Sequence, residues 1–135
     1  MSGAKGGCLC GAVRFRAAAE PLLVSYCHCR DCRKATGAPF VVLVGYRIGQ
    51  TGIFEGVPQR YSSSPGIRRA FCGRCGTPLS YEDERLPGEI YFMVGAFDQP
   101  ERFKPDRHAW TSQRLPWLQI DDDLERHERH SRARE

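Results

Sequence analysis

This 135-residue sequence carries seven cysteines in three short clusters, and no cysteine is isolated. The clusters lie within residues 8–10, 27–32 and 72–75. Because seven is an odd number, the cysteines cannot all pair in internal disulfides. Thiolates one or two residues apart can direct both sulfurs to one ion, and neighbouring glycines such as Gly11 and Gly76 permit the tight turns that this needs. The clusters therefore predict a fold organised around bound metal.

The redox environment expected for this chain also favours metal binding over disulfides. Residues 1–7 contain one lysine and no apolar stretch, so they do not predict a secretory signal. We therefore expect a reducing, cytoplasmic location, where structural disulfides are rare. The longest aliphatic or aromatic run covers residues 40–44, whereas a membrane span needs about 20 residues. A soluble protein with no membrane partner is expected.

Short segments rich in β-branched and aromatic residues predict an all-β, or β-dominated, fold. Glycine and proline separate these segments, including a glycine-containing break at 49–56. One short helix is predicted at residues 30–35, with Asp31 in its first turn and Gly37 closing it. The seven predicted strands cover residues 12–17, 22–26, 39–46, 59–63, 67–71, 78–81 and 90–95.

The chain is predicted to form one domain over residues 1–120, followed by a charged tail over residues 121–135. Glutamate and arginine alternate in the tail with almost no apolar partner, so we expect it to be solvated and frayed rather than packed. The net charge of +4 is carried by 17 arginines against three lysines. This excess suits an anionic substrate and does not require nucleic acid.

Seven thiolates divide naturally into four and three, because a structural zinc takes four protein ligands and a catalytic zinc keeps one position open. Two pairs make the closed site, and the remaining triplet makes a site with a vacancy. The sequence thus predicts two zinc ions per chain. The predicted structural ligands are Cys8, Cys10, Cys72 and Cys75, and the predicted catalytic ligands are Cys27, Cys29 and Cys32.

The charge of the triplet site predicts its chemistry. Zinc with three thiolates carries a net charge of −1, so it is a weaker Lewis acid than zinc held by neutral imidazoles, and water activation is disfavoured. A thiolate that arrives at the vacancy adds a further negative charge, which Arg30, Arg33 and Lys34 could offset. Binding, exchange or release of a thiol adduct is therefore easier to explain than hydrolysis.

Three other interpretations of the clusters remain open. A structural zinc ribbon would need only the first and third clusters. The middle cluster could instead be a second structural site completed by His28, although His28 alternates with Cys27 and Cys29 and so points away from them in an extended segment. A redox role for Cys29 and Cys32 lacks the strand-to-helix context of a thioredoxin-like site.

Three motifs resemble those of the glutathione-dependent formaldehyde-activating enzyme family, also called the Gfa or centromere-protein-V-like family. They read GCLCGAVRF from Gly7, CHCRDCRKATG from Cys27 and FCGRCGT from Phe71, and the resemblance extends to about Asp121. It implies an Mss4-like β-tent of antiparallel sheets with the same four-plus-three division of zinc ligands. The family's namesake is a carbon-sulfur lyase that condenses formaldehyde with glutathione to S-hydroxymethylglutathione. A small thiol such as glutathione and an aldehyde are therefore the expected partners.

Several residues are predicted to line the mouth of the triplet site. His108, in a polar segment, is the candidate general acid or base. The alternative role for Phe40 and Trp110 is packing in the hydrophobic core. The predicted substrate-binding residues are Arg30, Arg33, Lys34, Thr36, Gly37 and Phe40, with Pro39, Phe97 and Trp110 as further candidates for the rim.

Two classes of function follow from the sequence. The first is a zinc-dependent carbon-sulfur lyase that acts on a thiol adduct at the open triplet. The alternative is a zinc-stapled interaction module without catalysis, which would use its arginines and basic tail on nucleic acid or a protein.

Overall fold

The computed structural model describes residues 3–18 and 20–134 and is built mostly from β-strands, which confirms the β-dominated prediction. A three-stranded sheet has the order β1-β2-β5, and an eight-stranded sheet has the order β11-β10-β3-β4-β9-β8-β7-β6. The strands are β1 Ala4–Gly7, β2 Arg14–Ala17, β3 Leu23–Cys27, β4 Val41–Arg47, β5 Thr51–Glu55, β6 Gln59–Ser64, β7 Ile67–Phe71, β8 Pro78–Asp83, β9 Glu89–Met93, β10 Arg107–Ala109 and β11 Glu125–Arg126.

Helical structure is limited to one α-helix and four short 3-10 helices in the described part of the chain. The α-helix, α1, covers Arg30–Thr36, within one residue of its prediction. Gly37 ends it at φ 72°, a left-handed conformation that glycine adopts without strain, and its N–H donates to the carbonyl of Arg33. The 3-10 helices are Ile48–Gln50, Val94–Ala96, Pro100–Arg102 and Thr111–Gln113. None of the helices described is both long enough and apolar enough to cross a membrane.

The two faces of the large sheet carry different hydrophobic clusters. On β4, Val44 and Tyr46 belong to one cluster and Leu43 to the other, as the alternation of side chains along a strand requires. The small sheet covers the first face, where Phe15 of β2 stacks on Phe92 of β9 with ring centroids 4.1 Å apart. The second face carries the triplet of cysteines.

Four strands escape the sequence prediction. β1 contains two glycines, β5 lies inside the segment that predicts a break at 49–56, and β10 and β11 are only three and two residues long. β1 and β5 pair with β2, β10 pairs with β3, and β11 pairs with β10, so these strands form through pairing rather than through local propensity. β10 also pairs in parallel with both β3 and β11, so the large sheet is mixed rather than purely antiparallel.

The expectation of a frayed tail is wrong for residues 122–134, which lie against the large sheet. β11 extends the sheet beside β10, and the amide of Trp110 donates to the carbonyl of Arg129 at 2.7 Å. Further along, Arg132 pairs with Glu89 and Arg134 with Asp83. The tail therefore docks through backbone hydrogen bonds and buried carboxylates, neither of which its own composition reveals.

Candidate active site

Four cysteines from distant parts of the chain form the first cluster, hereafter the closed cluster. The sulfurs of Cys8, Cys10, Cys72 and Cys75, the four predicted structural ligands, all lie within 4.8 Å of one another. Cys8 and Cys72 are buried, and Cys10 is exposed. The closed cluster joins the turn after β1 to the turn after β7, and it could hold a metal ion.

Two similar turns present these sulfurs. In the first, the amide of Val13 donates to the Cys8 sulfur at 3.3 Å, and Gly11 adopts φ 82°. In the second, the amide of Cys75 donates to the Cys72 sulfur at 3.4 Å, and Gly76 also adopts φ 82°. Backbone amides directed at sulfur stabilise the thiolate form, so both turns are organised for anionic ligands.

Thr77 supports the ionised form of Cys75. Its hydroxyl oxygen accepts a hydrogen bond from the amide of Leu9 at 3.0 Å, which leaves the hydroxyl hydrogen free to reach the Cys75 sulfur at 3.2 Å. The hydroxyl and the Thr77 backbone lower the pKa of Cys75 to about 5. At neutral pH this sulfur is therefore a thiolate, the form that binds metal.

Cys27, Cys29 and Cys32 form the second cluster, hereafter the triplet. Their sulfurs lie within 4.8 Å of one another, and this cluster too could hold a metal ion. Cys27 ends β3, Cys29 is the N-cap of α1, and Cys32 lies in its first turn. The amide of Cys32 donates to the Cys29 sulfur at 3.3 Å, so the cap of the helix also orients a ligand.

The three cysteines of the triplet differ in the pKa of their thiols. Hydrogen bonds from Cys27 and Cys32 lower the pKa of Cys29 to about 2. The pKa of Cys32 is raised to about 11, and that of Cys27 is raised well above its usual value, chiefly by its hydrogen bond to Cys29. Without metal, one thiolate is thus stabilised by two thiols, and a bound ion would displace the two remaining protons.

Arg69 is a cation in contact with the triplet, and it was not among the residues predicted from the sequence. This side chain is 5% exposed, lies over the ring of Tyr81 and directs Nη2 at the Cys32 sulfur from 3.9 Å. Burial opposes its charged form, but interaction with Cys32 and Cys29 raises its pKa. The sequence does contain a sign of this role. Arg69 lies on the same strand face as the apolar residues Ile67 and Phe71, and a buried arginine needs an anionic partner.

The triplet opens on a cavity of about 440 Å³ on the second face of the large sheet. Its apolar walls come from β3, β4, β7, β8 and β9, and residues of α1 and of the tail complete the lining. The lining residues include Cys27, Cys29 and Cys32 of the triplet, Leu23, Leu43, Ile67, Tyr81, Tyr91 and Trp110 of the apolar wall, and Arg30, Arg69, Arg85, Arg132 and Arg134.

Of the six predicted substrate-binding residues, the structure brings only Arg30 to this cavity. Arg33 donates instead to the carbonyls of His28 and Gln113. Thr36 donates to the carbonyl of Cys32 within α1, and Phe40 packs on Tyr26. Gly37 serves as the helix C-cap, and Lys34 is exposed away from the lining. The N-terminal turn of α1 faces the cavity, so the positions that follow it turn away.

Of the three predicted rim residues, the structure also brings only one to the cavity. Trp110 lines the cavity. Phe97 is buried in the hydrophobic cluster of the opposite face, and Pro39 is exposed outside the lining. Proximity in sequence to the cysteines is therefore a poor guide to proximity in space.

His108 does not line the cavity. It is 2% exposed on the other side of β3, where its Nδ1 lies 3.0 Å from His28 Nε2 and its Nε2 lies 3.1 Å from Asp122. The Asp122 carboxylate accepts from His108 Nε2, which leaves His108 Nδ1 to accept from His28. Burial lowers the pKa of His28 to about 4, so His28 is neutral at pH 7. His108 thus positions the residue between two triplet cysteines.

Asp83 and Glu89 lie outside the cavity lining and form ion pairs with three of the lining arginines. Asp83 accepts from Arg85 and Arg134, each at 2.9 Å, and its side chain is fully buried. Burial alone would raise the pKa of Asp83, but these hydrogen bonds lower it to about 2. Glu89 accepts from Tyr91 at 2.6 Å and from Arg132. Three arginines share two carboxylates, so this wall keeps a positive charge.

Asp83→Asn should lower the free energy of unfolding by about 2 kcal/mol, because it removes a buried negative charge that pairs with two arginines and replaces one of the two accepting oxygens with an NH2 donor. Asp98→Asn is the matched control, since Asp98 also binds an arginine, Arg14, but is half exposed. The control should cost less than about 1 kcal/mol. Urea denaturation of both variants measures the difference, and equal losses would show that the Asp83 network is not a special anchor.

Together, the fold and the site define a β-sheet protein with two cysteine clusters that could hold metal ions, one of them opening on a cationic cavity. The model of the glutathione-dependent formaldehyde-activating enzyme (GFA) family matches residues 3–113. The chain belongs to this family, which confirms the resemblance noted in the sequence.

Individual relatives agree with the family assignment. A Halomonas elongata protein named "Putative glutathione-dependent formaldehyde-activating enzyme" is 31% identical over 128 residues, with 87% of this chain and 80% of the relative covered. An "Uncharacterized lyase" of Schizosaccharomyces pombe is 35% identical over 77 residues, with 57% of this chain and 56% of that protein covered. A crystal structure of a Rhodobacter sphaeroides protein has a TM-score of 0.59 at 25% identity, covering 70% of this chain and 87% of that one.

Proposed function

We propose that this protein is a zinc-dependent carbon-sulfur lyase that joins a small thiol to an aldehyde, with glutathione and formaldehyde as the reactants that the family name indicates. The contrast between its two cysteine clusters carries this proposal. The closed cluster fills a coordination shell with its own four sulfurs, whereas the triplet faces the cavity. A tetrahedral ion held by three cysteines keeps one position for a ligand from the cavity.

The donor set of both clusters fits zinc. Thiolates are soft ligands that select zinc over magnesium or calcium. Zinc binds sulfur at about 2.3 Å, so a tetrahedral site places its sulfurs about 3.8 Å apart. The Cys10 sulfur lies 3.6 Å from that of Cys8 and 3.8 Å from that of Cys72, in agreement with this spacing.

Zinc in the triplet would lower the pKa of a thiol that enters the open position, so that the sulfur is nucleophilic at neutral pH. The chain supplies charge balance and geometry for this step. Arg69 offsets the negative charge gathered on the sulfurs, and the amide at the start of α1 keeps Cys29 in place. The apolar side chains of the wall lower the local dielectric, which strengthens these electrostatic interactions.

The reaction is an addition that needs no oxidant. The substrate sulfur forms a bond with the aldehyde carbon, the π electrons of the carbonyl move to its oxygen, and the proton lost by the thiol ends on that oxygen. The product is a hydroxymethyl thioether in the case of formaldehyde. The reverse sequence breaks the same carbon-sulfur bond, which is the lyase direction.

The size and charge of the cavity support a small anionic thiol. Its volume of about 440 Å³ lies within the range of roughly 300–1,000 Å³ for small-molecule sites. The arginine side chains in its lining suit carboxylates, and glutathione carries two. Pairing of Arg132 and Arg134 with buried carboxylates also counts against the alternative in which the tail binds nucleic acid.

Metal content and thiol chemistry together test the proposal. Native mass spectrometry of the purified protein should give two zinc ions per chain, and glutathione should add as one bound molecule. Stopped-flow sampling of free thiol after glutathione and formaldehyde are mixed should show a faster loss than in buffer alone. A folded chain with one zinc, or a rate equal to that of buffer, would contradict the proposal.

Arg69→Met should lower kcat/KM by about tenfold or more, because a hydrogen bond to a charged group is worth about 1.5–3 kcal/mol. Methionine keeps an apolar stem over Tyr81, so the wall of the cavity remains filled. Arg68→Met is the matched control, since Arg68 is the neighbour on β7 and is exposed on the opposite face. Equal kcat/KM values for the two variants would show that Arg69 does not contribute to the reaction.

A further inference from the structure

We propose that the end of the tail, residues 130–134, is a specificity element that selects thiols bearing a carboxylate. This inference rests on the proposed function and concerns how that site chooses its thiol. Four residues of the segment, His130, Ser131, Arg132 and Arg134, line the cavity that contains the triplet. The family match ends at residue 113, so this wall is supplied by a part of the chain outside that match.

The tail is fixed at several points before it reaches the cavity. The amide of Thr111 donates to the carbonyl of His127 at 2.9 Å, and the indole of Trp110 donates to His130 Nδ1 at 3.3 Å. The Trp110 ring also meets the His130 ring edge-on, with centroids 5.2 Å apart. Because Trp110 itself lines the cavity, these contacts join the tail directly to the site.

Carboxylates behind the wall hold the two tail arginines while leaving part of each guanidinium free to bind a ligand. Arg132 donates a hydrogen bond from Nη2 to Glu89. Arg134 donates from Nε to Asp83 and from Nη1 to the carbonyl of Arg132. A guanidinium has five N–H donors, so each side chain keeps further donors after these bonds. Side chains already held in place lose little entropy when they bind a ligand.

The cavity therefore presents two kinds of binding group to a ligand. The triplet sulfurs and Arg69 are among its lining residues, and so are the tail arginines Arg132 and Arg134. A thiol with a carboxylate can occupy both, with its sulfur at the triplet and its carboxylate against Arg132 or Arg134. A neutral thiol can occupy only the first.

Steady-state kinetics with three thiols test this selection. Glutathione carries two carboxylates, its diethyl ester has the same backbone with both carboxylates masked, and 2-mercaptoethanol is small and neutral. For the double variant Arg132→Gln, Arg134→Gln, KM for glutathione should rise about tenfold or more with little change in kcat. KM for the ester and for 2-mercaptoethanol should stay within about twofold of the wild-type values.

Arg129→Gln is the matched control, because Arg129 is an exposed tail arginine outside the cavity lining. It should leave all three KM values unchanged. Calorimetric titration with glutathione provides a second readout, in which the double variant should bind more weakly and the control should not. Should the double variant unfold, the single variant Arg132→Lys, which keeps the charge but loses the planar fork, replaces it and should show a smaller rise.

The outcomes separate the two proposals. If the wild-type protein turns over glutathione and the double variant keeps the same KM, the tail does not select the thiol and only this inference fails. An equal rise in KM for all three thiols would also overturn it, since that result indicates general damage to the site. If the wild-type protein accelerates the reaction of no thiol, the proposed function fails and this inference falls with it.

Discussion

Cys72→Ser should abolish the cooperative unfolding transition of the protein. Cys72 is 1% exposed, and its sulfur receives backbone amides from Arg74 and Cys75 in the turn that builds the closed cluster. Structural zinc contributes on the order of 10 kcal/mol to folding, whereas a domain of this size has a total stability of about 5–15 kcal/mol. Loss of the ion would therefore remove most or all of the stability.

Thermal melting followed by circular dichroism, with metal content measured on the same sample, checks this expectation. Arg74→Ala is the control, because Arg74 is exposed in the same turn and contributes only its backbone amide to the Cys72 sulfur. The control should keep both metal ions and melt cooperatively. A cooperative transition in Cys72→Ser would mean that the closed cluster is not what holds the fold together.

Cys27→Ser should have the opposite combination of effects, with the fold retained and turnover lost. Cys27 ends β3 and is one of the three sulfurs of the triplet. A serine hydroxyl is a poor substitute for a thiolate ligand, so the variant should hold one zinc ion instead of two. The closed cluster is untouched, and cooperative melting should persist.

The contrast with Ser25→Ala makes this second expectation specific. Ser25 lies two residues earlier on the same face of β3 and lines the same cavity, but it offers no sulfur. Ser25→Ala should keep two zinc ions per chain by native mass spectrometry. If Cys27→Ser also kept two zinc ions, or kept wild-type turnover of thiol and aldehyde, the triplet would not be the catalytic metal site.

Sequence patterns predicted the parts of the fold that have local causes. The strands β4 and β7 were predicted from their β-branched and aromatic residues, and the helix at Arg30–Thr36 from Asp31 and Gly37, all of which act within a few residues. β5 and β11 could not be predicted in this way. Their residues are mostly exposed, and pairing with β2 and β10 is what makes them strands.

The candidate site likewise has one part that was predicted from the sequence and another that was not. Cysteine spacing predicted the triplet and each pair of the closed cluster, because spacing is a local property, and the division of seven sulfurs into four and three joined the two distant pairs. The cationic wall was missed, since Arg69, Arg132 and Arg134 come from β7 and from a tail whose composition resembles a solvated segment. His108 was placed at the cavity from its polar neighbours, but the parallel pairing of β10 with β3 turns it to the opposite face.

The closed cluster and the triplet differ in how far apart their members lie along the chain. Cys10 and Cys72 are 62 positions apart, whereas the triplet lies within residues 27–32. The entropy cost of loop closure grows with loop length, so an unfolded chain samples the compact geometry of the triplet far more often than that of the closed cluster. Folding of this protein is thus expected to have a temporal order, in which the triplet cysteines gather early and the closed cluster assembles late, after the slow pairing of distant strands.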